Sequence, residues 1–251
     1  MVEAPPARGE RGYEIDFAAL ERALAGARVY LLCDPHNPTG RVFTMAELER
    51  VAGLAEKHDV VVFADEVHAP LTLSGAQHTP FLTMGENAAS RSLALVSASK
   101  AWNLPGLKCA QVVAGSAPMR AHLARMGEDF TFRAGHLGVL ASVAAYRDRG
   151  EWLDRLVGVL DHNRRLMADL LSAQLPGAVY ALPEGGYLAW VDCGGLGLGA
   201  DPASAFLERG RVAVRPGADF GTGGDGFVRV TMGTSQAVLE EVVRRMAAAA
   251  V

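Results

Sequence analysis

Lys100 lies in Val96-Ser97-Ala98-Ser99-Lys100-Ala101-Trp102-Asn103-Leu104-Pro105-Gly106-Leu107-Lys108. The apolar run Leu93 to Val96 ends there in two hydroxyls and a lysine, and a loop punctuated by Pro and Gly carries a second lysine. A lysine at the mouth of a buried strand is poorly solvated, which makes its amine available as a nucleophile. Such an amine can form a Schiff base with an aldehyde cofactor, with the hydroxyls and Lys108 holding that cofactor's phosphate. Taken alone, the segment reads more simply as a strand followed by a surface lysine.

Two further strand ends change that reading. Val29-Tyr30-Leu31-Leu32-Cys33-Asp34-Pro35-His36-Asn37-Pro38-Thr39-Gly40 is a β-type run that breaks into a turn rich in Pro, Asn and Gly. Thr44 then caps a helix expected from Met45 to Lys57. Val60-Val61-Val62-Phe63-Ala64-Asp65-Glu66-Val67-His68 is an apolar strand that ends in a carboxylate and an imidazole. Near-continuous apolar strands alternating with helices predict a parallel sheet covered on both faces, in which ligands bind outside the carboxyl ends. Asn37, Asp65 and Lys100 are therefore expected to converge on one crevice. Individually, Asn37 would be a turn former and Asp65 a helix cap or salt-bridge partner.

At this point the residues resemble a known group, the class I/II aminotransferase superfamily of fold-type I pyridoxal-phosphate enzymes. Pro35-His36-Asn37-Pro38-Thr39-Gly40-Arg41-Val42, Asp65-Glu66-Val67-His68 and the segment Ser97 to Lys108 most resemble its cystathionine β-lyase (C-S lyase) branch. The likeness continues through Pro183-Glu184-Gly185-Gly186-Tyr187, Arg215-Pro216-Gly217-Ala218-Asp219-Phe220-Gly221 and Phe227-Val228-Arg229-Val230. It implies an α/β fold of the PLP-dependent transferase type I. Residues 1–148 would form a partial large domain with a mostly parallel sheet, and residues 149–251 a small C-terminal α+β domain.

The resemblance also assigns roles. Lys100 would carry pyridoxal 5′-phosphate on its amine and, once displaced by an amino acid, act as the base at Cα. Asp65 would pair with the pyridine nitrogen and Asn37 would donate to the phenolic oxygen. Ser97 and Lys108 match the family's phosphate contacts, although many relatives outside the branch have an arginine where Lys108 stands. Ser99 is a weaker match, since a hydroxyl there can simply satisfy backbone groups. His68 either contacts the phenolic oxygen or is a satisfied histidine beneath the cofactor. Arg229 would grip the substrate carboxylate with two parallel bonds. The implied reaction is C-S β-elimination from cystathionine or another cysteine S-conjugate, giving a thiol, pyruvate and ammonia. Transamination is the alternative.

The resemblance further implies on the order of a hundred residues before the region that starts here. They would supply the phosphate-cradling turn and a ring-stacking aromatic, which nothing in Met1 to Gly26 replaces. Met1 to Gly12 reads as a polar lead-in rich in Pro and Gly. An inactive remnant, or one half of a split enzyme, therefore stands beside the active lyase. A homodimer is implied by resemblance, and poor solubility is expected from uncovered sheet edges.

Composition is consistent with an enzyme of the cytoplasm. Half of the 251 residues are hydrophobic, 21% are charged and the net charge is −4, with no basic run to suggest nucleic acid. No apolar stretch approaches the roughly 20 residues of a membrane span, and the N-terminus lacks a signal-peptide core. Cys33, Cys109 and Cys193 are scattered and odd in number, so they read as buried reduced thiols, with neither a disulfide frame nor a metal site.

The elements that must position these groups fall into two stretches. From about Asp16 to about Gly115, helix and strand alternate. Helices are expected over Arg120 to Met126, Leu137 to Arg147 and Glu151 to Ala173. The last has an apolar stripe through Trp152, Leu156, Val159, Leu160, Asn163, Leu166, Met167 and Leu170. Beyond Pro176, strands are expected over Tyr187 to Val191, Val212 to Val214 and Phe227 to Thr231, and helices near Ala203 to Arg209 and Gln236 to Ala247. Gly194 to Gly199 is expected as a loop, because it lacks the strand-then-helix setting of a phosphate site.

Overall fold

The computed structural model describes residues 2–9, 12–147 and 151–250. Among them the chain forms β1 (Ala7–Gly9), β2 (Gly12–Glu14), α1 (Phe17–Leu24), β3 (Val29–Cys33), α2 (Met45–Lys57), β4 (Val61–Asp65), α3 (Glu86–Ser90), β5 (Ser92–Val96) and β6 (Gln111–Ala114). There follow α4 (Ala117–Leu123), α5 (His136–Arg147), α6 (Glu151–Gln174), β7 (Val179–Tyr180), β8 (Leu188–Asp192), α7 (Pro202–Gly210), β9 (Arg215–Pro216), β10 (Phe227–Thr231) and α8 (Gln236–Ala249). The residues sort into two compact units. One holds Phe17–Pro35 and Val42–Leu156, and the other Met1–Asp16, His36–Arg41 and Val157–Val251. The expected domain boundary at 148 and 149 lies outside the described residues.

In the first of these units the sheet order is β3-β4-β5-β6, with β3, β4 and β5 parallel and β6 antiparallel to β5. The apolar strand sequences bury Leu32, Val62, Ala64, Leu93 and Ala94, as expected of a sheet covered by helices. Thr44 starts α2 with a capping box. Its hydroxyl accepts from the Glu47 N–H, and the Glu47 carboxylate accepts from the Thr44 N–H. Leu48, Val51 and Ala55 then recur at helical spacing and are buried. The edge strands are less covered, with Leu31 on β3 and Val112 and Val113 on β6 exposed. Helix α5 likewise exposes Leu137, Leu140 and Val143.

The other unit builds an antiparallel sheet in the order β7-β8-β10-β9. Alternation sends Val228 and Val230 of β10 and Ala189 and Val191 of β8 into one core, together with Met167 and Leu171 of α6, Phe206 of α7 and Leu239, Val243 and Met246 of α8. Three expectations are revised here. Ala7–Gly9 and Gly12–Glu14 pair as an antiparallel ribbon, and Arg8 forms an ion pair with Asp192. The strand expected at Val212 to Val214 lies instead at Arg215–Pro216, where the backbone finds β10 as a partner. Along α6 the buried line runs through Leu160, Asn163, Met167 and Leu171, so Trp152 and Val159 of the predicted stripe are exposed. Asn163 is held inside because its amide donates to the carbonyls of Met232 and Thr234.

None of the three cysteines forms a disulfide among the described residues. Cys193 is buried, whereas Cys33 and Cys109 are only partly so, because each sits where a strand of the four-stranded sheet ends or begins. Among the described residues no helix is long and apolar enough to cross a membrane.

Candidate active site

Parallel pairing places the carboxyl ends of β3, β4 and β5 on one edge, with Asp65 level with Cys33 on one side and Leu95 on the other. Asp65 is half-buried, and its Oδ1 accepts a 3.3 Å bond from the Val67 N–H. No protein donor engages its second oxygen among the described residues. The neighbouring Glu66 is buried and accepts from the Phe81 N–H at 2.7 Å. Burial pushes its carboxyl above the ordinary range. The two adjacent carboxylates are thereby separated, Glu66 tying down a loop and Asp65 remaining at the strand end. His68 is buried one turn further on, and its carbonyl accepts from the Leu71 N–H.

The segment after β5 is wound by its own hydroxyls. Ser97 is buried, donates to the Cys109 carbonyl at 2.6 Å and accepts from the Ser99 N–H at 3.1 Å. Backbone bonds from Trp102 to Ala98 and from Leu104 to Ser99 complete a tight turn over the buried Ala98 and Ala101. Lys100 projects from this turn, half-buried, and no hydrogen bond or ion pair engages its side chain among the described residues. In this arrangement the Ser97 proton is committed to the loop. Lys108 ends the loop exposed, with left-handed backbone at φ +51°.

Asn37 and Arg229 meet in the other unit. Arg229 Nη1 donates to Asn37 Oδ1 at 2.8 Å, and its guanidinium lies 4.5 Å from the centre of the Phe220 ring. Burial, and after it the nearby Arg215 charge, push the Arg229 pKa down. The turn bearing Asn37 is fixed on several sides. His36 and Arg41 bond through N–H to carbonyl at 2.7 Å, and His36 Nδ1 lies 2.8 Å from Thr39 Oγ1. The Gly40 carbonyl accepts from the N–H groups of Glu184 at 2.7 Å and Gly185 at 2.9 Å. Gly40 has φ +71°, and a Cβ there would stand 2.3 Å from Pro183 Cβ, so only glycine fits. Buried Arg41 pairs with Glu184 and donates from Nε to the Tyr13 carbonyl at 2.7 Å. The Asn37 amide oxygen is thus an acceptor for Arg229.

A family model described as aminotransferase class I and II matches residues 4–246. The chain belongs to the class I and II aminotransferase family. A Mycobacterium leprae protein provisionally named a cystathionine β-lyase is 44% identical over 273 residues, covering 100% of this chain and 66% of its own length. The cystathionine β-lyase PatB of Bacillus subtilis is 34% identical over 253 residues, covering 99% of this chain and 65% of its own. Among solved structures, cystalysin of Treponema denticola, which contains a pyridoxal 5′-phosphate cofactor, superposes with a TM-score of 0.91 at 27% identity. That match covers 99% of this chain and 64% of cystalysin. The chain thus spans just under two thirds of the length of the curated relatives it matches first.

The residues of this family member fit an aldehyde cofactor. Lys100 offers a half-buried amine that no side chain engages among the described residues, and one Asp65 oxygen has no protein donor among them. Four participants were not assigned roles from sequence. Phe220 lay inside a quoted motif but gave no sign that it would face Arg229. Arg41 and Glu184 lie 143 positions apart and are joined only by the fold. The fourth, Asp34, is buried and accepts at Oδ1 from the Phe43 N–H at 3.0 Å, with His78 Nε2 at 3.6 Å from Oδ2.

Proposed function

We propose that the chain is the greater part of a pyridoxal 5′-phosphate-dependent C-S β-lyase, which releases a thiol, pyruvate and ammonia from cystathionine or a related cysteine S-conjugate. The observation that carries this reading is Lys100. It is a half-buried amine, unpaired among the described residues, on a hydroxyl-wound turn at the end of β5, beside the strand that ends in Asp65. The names borne by the relatives at 44% and 34% identity support the lyase. The family description supports transamination as the second reading.

Pyridoxal phosphate, when bound, would supply a sink for the electron pair left at the substrate's Cα. The protein's own groups do the rest. Lys100 would hold the cofactor through its amine, and its Nζ would be the base that takes the Cα proton. Asp65 would pair with the pyridine nitrogen and keep its proton in place, and Asn37 would donate to the phenolic oxygen. Lys108 supplies a positive charge to the phosphate, and Ser97 would join it by turning its hydroxyl from Cys109. His68, on the loop that follows Asp65, would contact the phenolic oxygen or lie as a satisfied histidine beneath the cofactor. Arg229 binds the α-carboxylate. A sulfur on Cβ leaves readily as a thiolate, which favours elimination over reprotonation.

Residues 1–148 are assigned to the cofactor-binding domain and 149–251 to the smaller one, with a homodimer as the assembled form. The exposed Leu137, Leu140 and Val143 of α5 support self-association. Three cysteines without a disulfide among the described residues support a cytoplasmic location. The test is pyridoxal phosphate addition followed by borohydride reduction and peptide mapping. Label is expected on Lys100 and is lost in Lys100→Ala, with pyruvate released from L-cystathionine. Indiscriminate labelling of surface lysines, with no pyruvate, would leave the family membership without its activity in this chain.

A further inference from the structure

Strand β10 is paired on both sides, and its register sets Arg229 opposite Trp190 on β8 and opposite Arg215 on β9. Directly opposed residues of antiparallel strands project from the same face. The other face belongs to Val228 and Val230, both in the core. The outward face therefore carries a row running from buried Trp190, through half-buried Arg229, to Arg215 at the sheet edge, whose side chain is 68% exposed.

Like charges directly opposite each other destabilise a sheet. Little protein charge offsets this pair. Asp219 stands 3.4 Å from Arg215, but both side chains are largely exposed, so the ion pair is weak. The Arg229 partners are the neutral Asn37 amide and the Phe220 ring, and no carboxylate lies within ion-pair distance of it among the described residues. Two cations on one face with one solvated carboxylate form a site that favours a ligand bearing two carboxylates. Resting on the lyase reading, in which Arg229 takes the α-carboxylate, we propose that Arg215 binds a second carboxylate at the far end of the substrate. The substrate class is then thioether amino acids with a distal carboxylate, and Arg215 is a specificity residue.

The full chain supplied with pyridoxal phosphate is compared with its Arg215→Gln variant on L-cystathionine and on S-ethyl-L-cysteine, which lacks the distal carboxylate. Binding is measured by calorimetry and turnover by pyruvate release. Wild type should bind cystathionine more tightly, and the variant should lose about 10-fold on cystathionine while changing less than about 2-fold on S-ethylcysteine. An unchanged melting temperature separates this loss from misfolding. Equal effects on both ligands, no effect on either, or no binding of either by wild type would overturn the role of Arg215. Arg215-dependent binding without pyruvate would support the carboxylate site and overturn only the lyase.

Discussion

Arg229 Nη1 donates to Asn37 Oδ1 at 2.8 Å across 192 positions of sequence. One bond thus orients two side chains for which different roles are proposed. It fixes Asn37 Oδ1 as the acceptor, while the Arg229 guanidinium lies 4.5 Å from the centre of the Phe220 ring. Asn37→Asp keeps an acceptor for Arg229 and adds an attractive charge, but it removes the donor. Its melting temperature should equal or exceed wild type, while affinity for pyridoxal phosphate falls about 10-fold, the cost of one charge-assisted bond. Arg229→Met should instead raise KM for any amino acid substrate by about 10- to 100-fold. Absorbance titration with the cofactor and steady-state kinetics distinguish the two effects.

His36 gives the Asn37 turn a pH dependence. Burial lowers its imidazole from 6.5 to about 4. An unfolded chain takes up a proton at this residue below about pH 6.5, whereas the folded chain does so only near 4, so the native state is penalised throughout that window. Stability is complete above pH 6.5 and falls as pH drops towards 4, by up to roughly 3 kcal/mol for this group. Thermal midpoints between pH 7.5 and 5 should fall less steeply in His36→Gln than in wild type. Parallel slopes would remove His36 as the cause.

Helix α5 sets the far end of the Lys108 loop. A Cβ at Gly138 would stand 2.3 Å from the Leu107 carbonyl oxygen and 3.0 Å from Cys109 Cβ. Gly138→Val therefore forces helix and loop apart, at about 1–3 kcal/mol for overpacking. At Gly127 a Cβ meets nothing within 4 Å. Gly127→Ala should accordingly leave the urea midpoint unchanged while Gly138→Val lowers it.

The Arg41–Glu184 pair locks the turn from the other side. Arg41 is 4% exposed, so Glu184→Ala strands a buried guanidinium and should cost about 2–4 kcal/mol, less than a fully buried pair because Glu184 is partly solvated. Arg41→Leu/Glu184→Leu removes both charges and should recover more than half of that loss. Denaturant melts of the single and double variants complete the cycle, and strictly additive losses would show that the two charges act independently.

Much of the architecture was legible in the chain. The runs Val61 to Ala64 and Leu93 to Val96 are apolar throughout because both faces of a parallel sheet are covered. Thr44 and Glu47 spell a capping box whose geometry is local. Met45–Lys57 and Phe227–Thr231 were accordingly read to the residue. The motif around Lys100 placed a lysine just past an apolar strand, because the end of that strand is written in its own residues.

Other features depended on contacts distant in sequence. The Ala7–Gly9 ribbon carries no pattern that a polar lead-in lacks, and its Arg8 gains meaning only beside Asp192. The strand at Arg215–Pro216 exists because β10 offers a partner, and that same register alone sets Arg215 opposite Arg229. Ser97 read as a hydroxyl ready for a phosphate, yet its proton goes to Cys109, twelve residues on, because the loop folds back upon itself. Periodicity, capping and turn chemistry act over a few residues, so the sequence by itself determined the elements and the residue types at their ends. Register, ion pairing and the direction of each proton depend on which distant groups the packed chain brings within a few ångströms, and only the tertiary structure decided those.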